Sequence, residues 1–344
     1  MDWKQLLRES ESVEVVESGM LGAVEWKRYA NGLLTFCGQG PISNFLYELT
    51  YPGYHDEDHT EYYPYWKDGI GKETHPPVKY VYINEGITEI ADGAFKDCCI
   101  EEINIPKSVT IIGAQAFFDN NLKEIELPNN LESIGYGAFE KSRKLKSIFI
   151  PKSVKQIGKI GGKYVSSIEE IIVDGNNKNY VVENSILYTA DMTQLLWCPT
   201  SVSGTLHIPP TVNRVEQSAF DCCKLLKEVI FSETPITLGS YCFNHTALNK
   251  LVLPKEVVME HYGIFGCGFH EHPVTCFMVP CESDSLTVYI DKDCSVWDYF
   301  KKNHIHIEGE PVEYNYPAQL VDKKSPKSEN ANKKKGFFAR LFGR

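Results

Sequence analysis

Three consecutive stretches decide the fold of this chain: IEEINIPKSVTIIGAQAFFDNN (100–121), LKEIELPNNLESIGYGAFEKSRK (122–144) and LKSIFIPKSVKQIGKIGGKYVSS (145–167). They share the pattern L/I-x-x-I-x-I/L-P-x-x-V/L-x-x-I-G, and the first two continue with x-x-A-F. The phenylalanine recurs at steps of 22 or 23 residues in two runs, Phe95, Phe117, Phe139 and then Phe220, Phe243, Phe265. Self-similarity at this period predicts a solenoid of stacked repeats.

Each part of the repeat has a physical role. The alternating apolar residues of I-x-I-P predict a short strand with one buried face, and proline ends it because it has no N–H for the next ladder hydrogen bond. The V-x-x-I-G part is expected to turn the chain back, with Gly113, Gly135 and Gly158 relieving a tight backbone. The A-F pair fills the layer. Because one coil cannot bury its own apolar face, neighbouring coils must stack.

The motif at 105–117, I-P-x-x-V-x-x-I-G-x-x-A-F, resembles that of the BspA-like (treponemal-type) leucine-rich repeat family. The resemblance covers roughly 78–309 and implies a leucine-rich repeat solenoid, β-rich, with parallel strands stacked in coils of about 22–23 residues. Residues 26–42 resemble the β-hairpin that caps such domains, with Asn31-Gly32 as its two-residue turn. Residues 286–307 resemble a closing coil.

The chain is therefore expected to have four parts. Residues 1–77 form an N-terminal cap with the hairpin and a Tyr/Pro-rich loop, and 78–309 form the solenoid, with an insertion near 174–204 and a C-terminal capping coil. Residues 310–332 are polar and charged, which predicts a disordered linker. Residues 333–344 form a basic amphipathic tail, so the C-terminal end is expected to be a flexible tail.

A candidate binding surface follows from the strands. The residue between the last two buried positions of each strand faces outward and forms a row, the strand-face row: Tyr82, Asn104, Glu126, Phe149, Ile172, His207, Ile230, Val252 and Tyr289. A second row contains four glutamates, Glu102, Glu124, Glu170 and Glu228. An apolar stripe beside an acidic stripe is typical of a protein-binding surface. We predict partner binding at Tyr82, Glu126, Phe149, Ile172, His207, Ile230, Val252 and Tyr289.

A structural explanation of the same row remains open. Strands favour β-branched and aromatic residues for packing reasons alone, and the insertion near 174–204 could cover part of the stripe.

The tail carries a second candidate site. Four apolar residues follow three lysines and would lie on one side of a short helix, with an arginine on the other: Lys333, Lys334, Lys335, Phe337, Phe338, Arg340, Leu341 and Phe342. These residues predict docking either on an anionic membrane surface or in an apolar groove of a partner protein. A helix this short is marginal alone in water, so we expect it to order on binding.

Catalytic and metal-binding patterns are weak. The histidine and acid cluster His55–His59 could bind a metal, but it stands in a Tyr/Pro-rich loop with no partner pattern, so no metal site and no cofactor are predicted. No nucleophile elbow or glycine-rich phosphate loop is present. The adjacent pairs Cys98-Cys99 and Cys222-Cys223 recur at what the repeat indicates are equivalent places, which favours packing over chemistry.

Charge and composition narrow the function classes further. Residues 322–344 hold eight basic and two acidic residues, a net +6, whereas 1–321 hold 27 basic and 44 acidic residues, a net −17. The acidic body argues against nucleic acid as a partner. No apolar run long enough for a signal peptide or a spanning helix occurs, which predicts a cytoplasmic protein, peripheral at the inner membrane face if the tail binds lipid.

The functional prediction is a non-enzymatic leucine-rich repeat adaptor or scaffold that binds an unknown protein ligand. Two alternatives remain open at this stage. The first is an exported surface adhesin whose signal lies upstream, and the second is a metal-binding protein that uses His55–His59.

Overall fold

The computed structural model describes residues 2–43, 46–54, 57–64, 77–160, 168–260, 286–302 and 306–308; for 46–54 and 57–64 only strand bounds and pairing are described. Residues 1–308 form one compact unit. Gly161-Gly162, which replace the Ala-Phe pair in the fourth repeat, and the predicted linker 310–332 lie outside the described residues.

The described residues of the N-terminal part form one short helix and six strands. They are α1 (Trp3–Ser10), β1 (Val15–Leu21), β2 (Val24–Tyr29), β3 (Leu33–Gly38), β4 (Gly40–Ile42), β5 (Leu46–Tyr54) and β6 (Glu57–Pro64). The Asp2 side chain accepts hydrogen bonds from the backbone N–H groups of Lys4 and Gln5, which satisfies two of the free donors at the start of α1. Strands β1, β2 and β3 form an antiparallel meander.

In the first run of repeats, residues 77–160 and 168–173 form eight short strands. They are β7 (Tyr80–Ile83), β8 (Ile87–Ile90), β9 (Glu102–Asn104), β10 (Ile111–Ile112), β11 (Ser133–Ile134), β12 (Ser147–Ile150), β13 (Gln156–Ile157) and β14 (Glu170–Val173).

The insertion and the second run of repeats complete the compact unit. Their elements are β15 (Tyr180–Glu183), β16 (Ile186–Thr189), β17 (Gln194–Trp197), β18 (Gly204–His207), β19 (Arg214–Val215), β20 (Leu226–Ile230), β21 (Ile236–Leu238), β22 (Lys250–Val252), β23 (Val257–Met259), β24 (Thr287–Tyr289), α2 (Trp297–Lys302) and β25 (His306–Ile307).

The solenoid is confirmed, with about eight parallel-stacked coils about 23 residues apart. Parallel strands form two sets of ladders. The first set comprises β3-β7-β9, β12-β14 and β18-β20-β22-β24-β25, and the second comprises β4-β8-β10-β11-β13 and β17-β19-β21-β23. The V-x-x-I-G part, expected only to turn the chain back, therefore also supplies the strands of a second sheet, because its backbone pairs with the same segment of the next coil.

The N-terminal hairpin already belongs to the solenoid. Strand β3 pairs in parallel with β7, and β4 pairs in parallel with β8, so residues 33–42 form a coil of their own. The predicted two-residue turn at Asn31-Gly32 is wrong by one residue. Arg28 lies opposite Leu34, and the Gly32 N–H donates to the Tyr29 carbonyl at 3.0 Å, so the turn has three residues. Gly32 takes the left-handed position, φ +82°, that closes such a loop.

A column of stacked phenylalanine rings runs through the first core. Phe95, Phe117 and Phe139 are fully buried, with successive ring centroids 5.7 Å apart and planes within 11°. Phe220 stacks on Phe243 in the same way, at 5.0 Å and 7°. Since each ring contacts the ring of the next coil, the repeat period fixes the packing of the core.

The repeat glycines allow the coils to approach closely. A Cβ on Gly135 would lie 2.3 Å from the backbone nitrogen of Ala114, and one on Gly113 would lie 2.4 Å from that of Asp92. A Cβ on Gly158 would lie 2.5 Å from the backbone nitrogen of Tyr136. These glycines therefore do not have the predicted role of relieving a tight turn, since none of them has a positive φ; glycine is needed because the neighbouring coil approaches closely.

Strand β16 of the insertion separates two apolar cores. Leu187 packs into the core of the first run, whereas Ile186 and Tyr188 pack into the core of the second. Adjacent residues of a strand point to opposite sides, so a strand between two cores carries large side chains at successive positions, as at 186–188. Burial raises the pKa of the Tyr188 hydroxyl well above its usual value, which keeps it neutral.

Candidate protein-binding face

The strand-face row lies along the first set of ladders, as the spacing predicts. Tyr82 lies beside Asn104, Phe149 beside Ile172, and His207, Ile230, Val252 and Tyr289 lie beside one another in that order. Their neighbours in the strands, such as Ile148 and Ile171, are almost completely buried. The outward orientation of the row is therefore observed, whereas its binding role stays a prediction.

Phe149 and Ile172 are the most exposed large apolar residues of this row. This pair is named here the strand-face patch. Phe149 is 43% exposed and Ile172 is 44% exposed, and the two lie directly opposite each other in the parallel register. The expectation that the insertion could cover part of the stripe does not hold at this pair. A packing preference explains why such residues occur in strands, but it does not explain two adjacent ones left in contact with solvent.

The rest of the row is more varied. His207 and Tyr289 are exposed, Ile230 and Val252 are half-buried, and the Lys250 ammonium lies 5.1 Å from the centroid of the Tyr289 ring. The second half of the row is thus a mixed surface of aliphatic, aromatic and cationic groups. Such composition is typical of the rim of an interface rather than its centre.

Exposed acidic residues occur in the strand pair of the strand-face patch and in the coil before it. Glu170 lies beside Ser147, two positions along the same strands from Ile172 and Phe149, and its side chain is exposed. Glu126 is exposed in the preceding coil. That coil departs from the expected ladder, because residues 123–127 form no strand. An apolar patch with an acidic border favours a partner that presents apolar groups bordered by basic ones.

Several predicted residues lie outside the described part of the chain. They include the tail residues Lys333, Lys334, Lys335, Phe337, Phe338, Arg340, Leu341 and Phe342. The side chains of His55–His59 also lie outside it. Within the described residues, no helix is long and apolar enough to cross a bilayer.

The two cysteine pairs are not equivalent, which corrects the sequence prediction. Counted from the stacked phenylalanine of each coil, Cys98 and Cys223 both stand three residues later and are fully buried. Cys222 stands one residue earlier than this, in the left-handed conformation at φ +64° and half-buried. The packing interpretation suits Cys98 and Cys223. It does not account for Cys222.

Cys222 belongs to a polar cluster that the sequence interpretation missed. The Asp221 carboxylate, with a side chain only 1% exposed, has its Oδ1 atom 3.0 Å from Nδ1 of His245 and 3.6 Å from Sγ of Cys222. The Asn244 amide donates to the same oxygen at 3.3 Å. Aligning the repeats on their phenylalanines would have indicated this cluster, because Cys222 and His245 each follow that ring by two residues.

The cluster does not have the properties of a catalytic cysteine centre. Burial and the neighbouring Asp221 charge raise the pKa of the Cys222 thiol to about 12, whereas a nucleophilic cysteine has a lowered pKa. Asp221, rather than His245, accepts the thiol hydrogen bond. Lys159 lies within electrostatic range of Asp221. Burial lowers the pKa of the Lys159 ammonium, while the negative charges of Glu140 and Asp221 raise it.

Comparison with known proteins agrees with this architecture. The family model described as "BspA type Leucine rich repeat region" matches in six copies over 88–203 and 197–271, which together cover more than half of the 344 residues. No curated protein matches the chain. A leucine-rich repeat protein from Eubacterium ventriosum is similar in structure, with 25% identity, a TM-score of 0.58, and coverage of 78% of this chain and 70% of that one.

Two further solved structures are more distant. The pneumococcal vaccine antigen PcpA has 18% identity and a TM-score of 0.49, with coverage of 87% of this chain and 100% of that one. A leucine-rich cell surface protein from Faecalibacterium prausnitzii has 16% identity and a TM-score of 0.42, with coverage of 86% and 96%.

Proposed function

This chain belongs to the BspA-type leucine-rich repeat family, and on that premise we propose that it is a non-enzymatic module that binds a protein partner through the strand-face patch. Members of this family are usually surface or protein-interaction modules. The observation that carries the proposal is the pair Phe149 and Ile172, adjacent in register and each more than two-fifths exposed.

The chemistry of the surroundings specifies the partner further. Glu170 is exposed in the strand pair that carries the patch, and Glu126 is exposed in the preceding coil, so the partner is a protein segment with apolar side chains and flanking lysine or arginine residues. The apolar centre supplies the binding free energy, while the charges orient the partner and exclude acidic competitors.

A pair of photo-crosslinking variants tests this proposal. A benzophenone amino acid replaces Phe149 in one protein and Val258 in the other; Val258 is 63% exposed on the second sheet and serves as the matched control. In the native cell, position 149 is expected to give a discrete crosslinked partner and position 258 none. Equal crosslinking from both positions, or none from 149, would contradict the proposal.

Charge insertion then measures the contribution of the patch. The double variant Phe149→Glu, Ile172→Glu is expected to weaken binding to the crosslinked partner at least tenfold, because two apolar contacts are lost and carboxylates become buried. Val258→Glu, as control, should leave the dissociation constant unchanged. Unchanged affinity in the double variant would remove the strand-face patch from the interface.

The tail is proposed as a docking element that brings the module to the cytoplasmic face of an anionic membrane. Its supporting features are sequence features: five positive charges and four large apolar side chains in 333–344. Sedimentation with phosphatidylglycerol vesicles should retain the full chain and lose a chain truncated at 332, and neutral phosphatidylcholine vesicles should retain neither. Equal retention of both chains would contradict lipid docking and leave the strand-face proposal intact.

Protease treatment of intact cells distinguishes this proposal from a surface adhesin. A chain on the cytoplasmic side stays protected until the cells are lysed, whereas an adhesin is digested at once.

A further inference from the structure

A second site, unrelated to the strand face, is formed by Asp221, Cys222 and His245. Asp221 and Cys222 follow Phe220 in one coil, and His245 follows Phe243 in the next. The stacked rings of Phe220 and Phe243 hold the two coils in register. The Cys222 N–H donates to the Asn244 carbonyl at 3.0 Å, so the thiol and the imidazole occupy the same column of adjacent coils.

The three side chains converge. One carboxylate oxygen, the thiol sulfur and one imidazole nitrogen all lie within 4.8 Å of one another. A tetrahedral zinc ion, with bonds of about 2.0–2.3 Å to such atoms, requires separations of about 3.3–3.8 Å between them. The two ligand atoms that lie farthest apart must approach each other by about 1 Å. Rotation of the Cys222 and His245 side chains can supply this movement, because both are only half-buried.

The Asp221 carboxylate has an oxygen that the other described residues leave unsatisfied. Its Oδ2 atom is buried and has no hydrogen-bond donor among them, whereas Oδ1 accepts from the Cys222 thiol and the Asn244 amide and lies 3.0 Å from Nδ1 of His245. The Asn244 amide nitrogen also lies 2.7 Å from that imidazole nitrogen. A buried carboxylate oxygen without a partner is costly, and a bound cation is one of the few ways to satisfy it. This orphaned oxygen is an observation independent of the convergence of the three ligands.

We propose that Asp221, Cys222 and His245 bind a divalent transition metal ion of the zinc class. The donor set selects the metal, because a thiolate and an imidazole favour Zn²⁺ or Co²⁺ over Mg²⁺ and Ca²⁺, which prefer oxygen ligands alone. Binding releases the Cys222 proton to solvent and leaves a fourth position for water. The His245 side chain is 30% exposed, which gives the ion a path from solvent.

Bound metal would join two consecutive coils of the second core. A solenoid is stabilised by the contacts between nearest-neighbour coils, so an ion that bridges two coils strengthens the interface it spans. Metal that binds only the folded chain also raises the midpoint of thermal unfolding, and the shift grows with the logarithm of the ratio of metal concentration to dissociation constant.

Cobalt substitution in the reduced, chelator-treated full chain tests the site, because thiolate-bound Co²⁺ has a characteristic charge-transfer absorption. The wild-type chain is expected to develop this absorption and to lose it when Zn²⁺ is added. Cys222→Ser should abolish it, and His245→Asn should weaken Co²⁺ binding at least tenfold. Cys99→Ser and His207→Asn, at exposed positions, are the matched controls and should behave as wild type.

The variants are chosen to fold. His245 has φ +51°, a conformation that asparagine adopts readily, and serine is nearly the same size as cysteine. Zn²⁺ should raise the unfolding midpoint of the wild-type chain and of both controls, but not that of the two site variants. Absorption that persists in Cys222→Ser, or a Zn²⁺-induced shift that persists in His245→Asn, would overturn the proposal. So would the absence of thiolate absorption in the wild-type chain.

Discussion

Phe149 lies directly opposite Ile172 across a parallel strand pair, and both side chains remain in contact with solvent while Ile148 and Ile171 beside them are buried. In a strand that alternates in this way, the buried residues stabilise the fold and the exposed residues are available to bind a partner. The two sets are separable by experiment.

The alternation predicts unequal losses of stability for substitutions at neighbouring residues. Ile148→Ala should lower the free energy of unfolding by about 2–5 kcal/mol, because it leaves a cavity in a packed core. Phe149→Ala should lower it by less than about 1 kcal/mol, because much of that ring already contacts water. Urea denaturation of both variants measures the difference. Similar costs for the two substitutions would mean that the register of β12 is not the one described.

The phenylalanine column predicts coupling between adjacent coils. Phe117 and Phe139 have centroids 5.7 Å apart and planes 5° apart. Either substitution to alanine should cost about 3–5 kcal/mol, and a double-mutant cycle should give a coupling energy of about 0.5–1.5 kcal/mol.

The control cycle pairs Phe117 with Phe243, which belongs to the other core. The losses of stability from these two substitutions should add, in the double variant, to within about 0.5 kcal/mol. Equal coupling in both cycles would show that the energy is not transmitted through ring contact.

Close approach of the coils predicts that Gly135→Ala is destabilising. The added Cβ would lie 2.3 Å from a backbone nitrogen of the preceding coil, so the coils must separate, at a cost of about 1–3 kcal/mol. Gly175→Ala is the matched control, because a Cβ there meets nothing within 4 Å. Thermal unfolding of the two variants measures the contrast, and equal midpoints would contradict the described spacing of the coils.

The raised pKa of Cys222 predicts slow alkylation in the absence of metal. With a pKa of about 12, the thiolate fraction at pH 8 is on the order of one in ten thousand. The greater nucleophilicity of a basic thiolate offsets part of this, so iodoacetamide should label Cys222 on the order of 100-fold more slowly than a free cysteine peptide. Peptide mass spectrometry in the presence of a chelator gives the rate, and labelling as fast as the free peptide would place Cys222 in a different environment.

Much of the fold was predictable because each coil contacts only its neighbours, so the spacing of residues along the chain specifies the structure. Residue spacing alone identifies the buried positions, and Phe117 has the role that the pattern assigns to it. The strand-face row was predictable for the same reason, since side chains alternate along a strand. Propensity and spacing do not show which members of the row are covered by other segments, and the exposure of Phe149 and Ile172 emerged only from the structure.

Errors arose where a backbone conformation, rather than a side-chain period, decides the outcome. The hairpin turn contains Ala30 as well as Asn31 and Gly32. Turn length depends on backbone dihedral angles, and the same dipeptide fits turns of two and of three residues. Cys222 was grouped with Cys98 because adjacent cysteine pairs look alike in sequence. The left-handed backbone at Cys222 moves it out of the core column that Cys223 occupies.

By itself, the sequence determined the solenoid, the period of its coils and the positions of its core, because burial in a stacked repeat depends only on local spacing. The tertiary structure alone decided the second parallel sheet and the division of the core by β16. These features depend on which coil lies beside which and on how closely the backbones approach. Both follow from packing across coils rather than from any single stretch of residues.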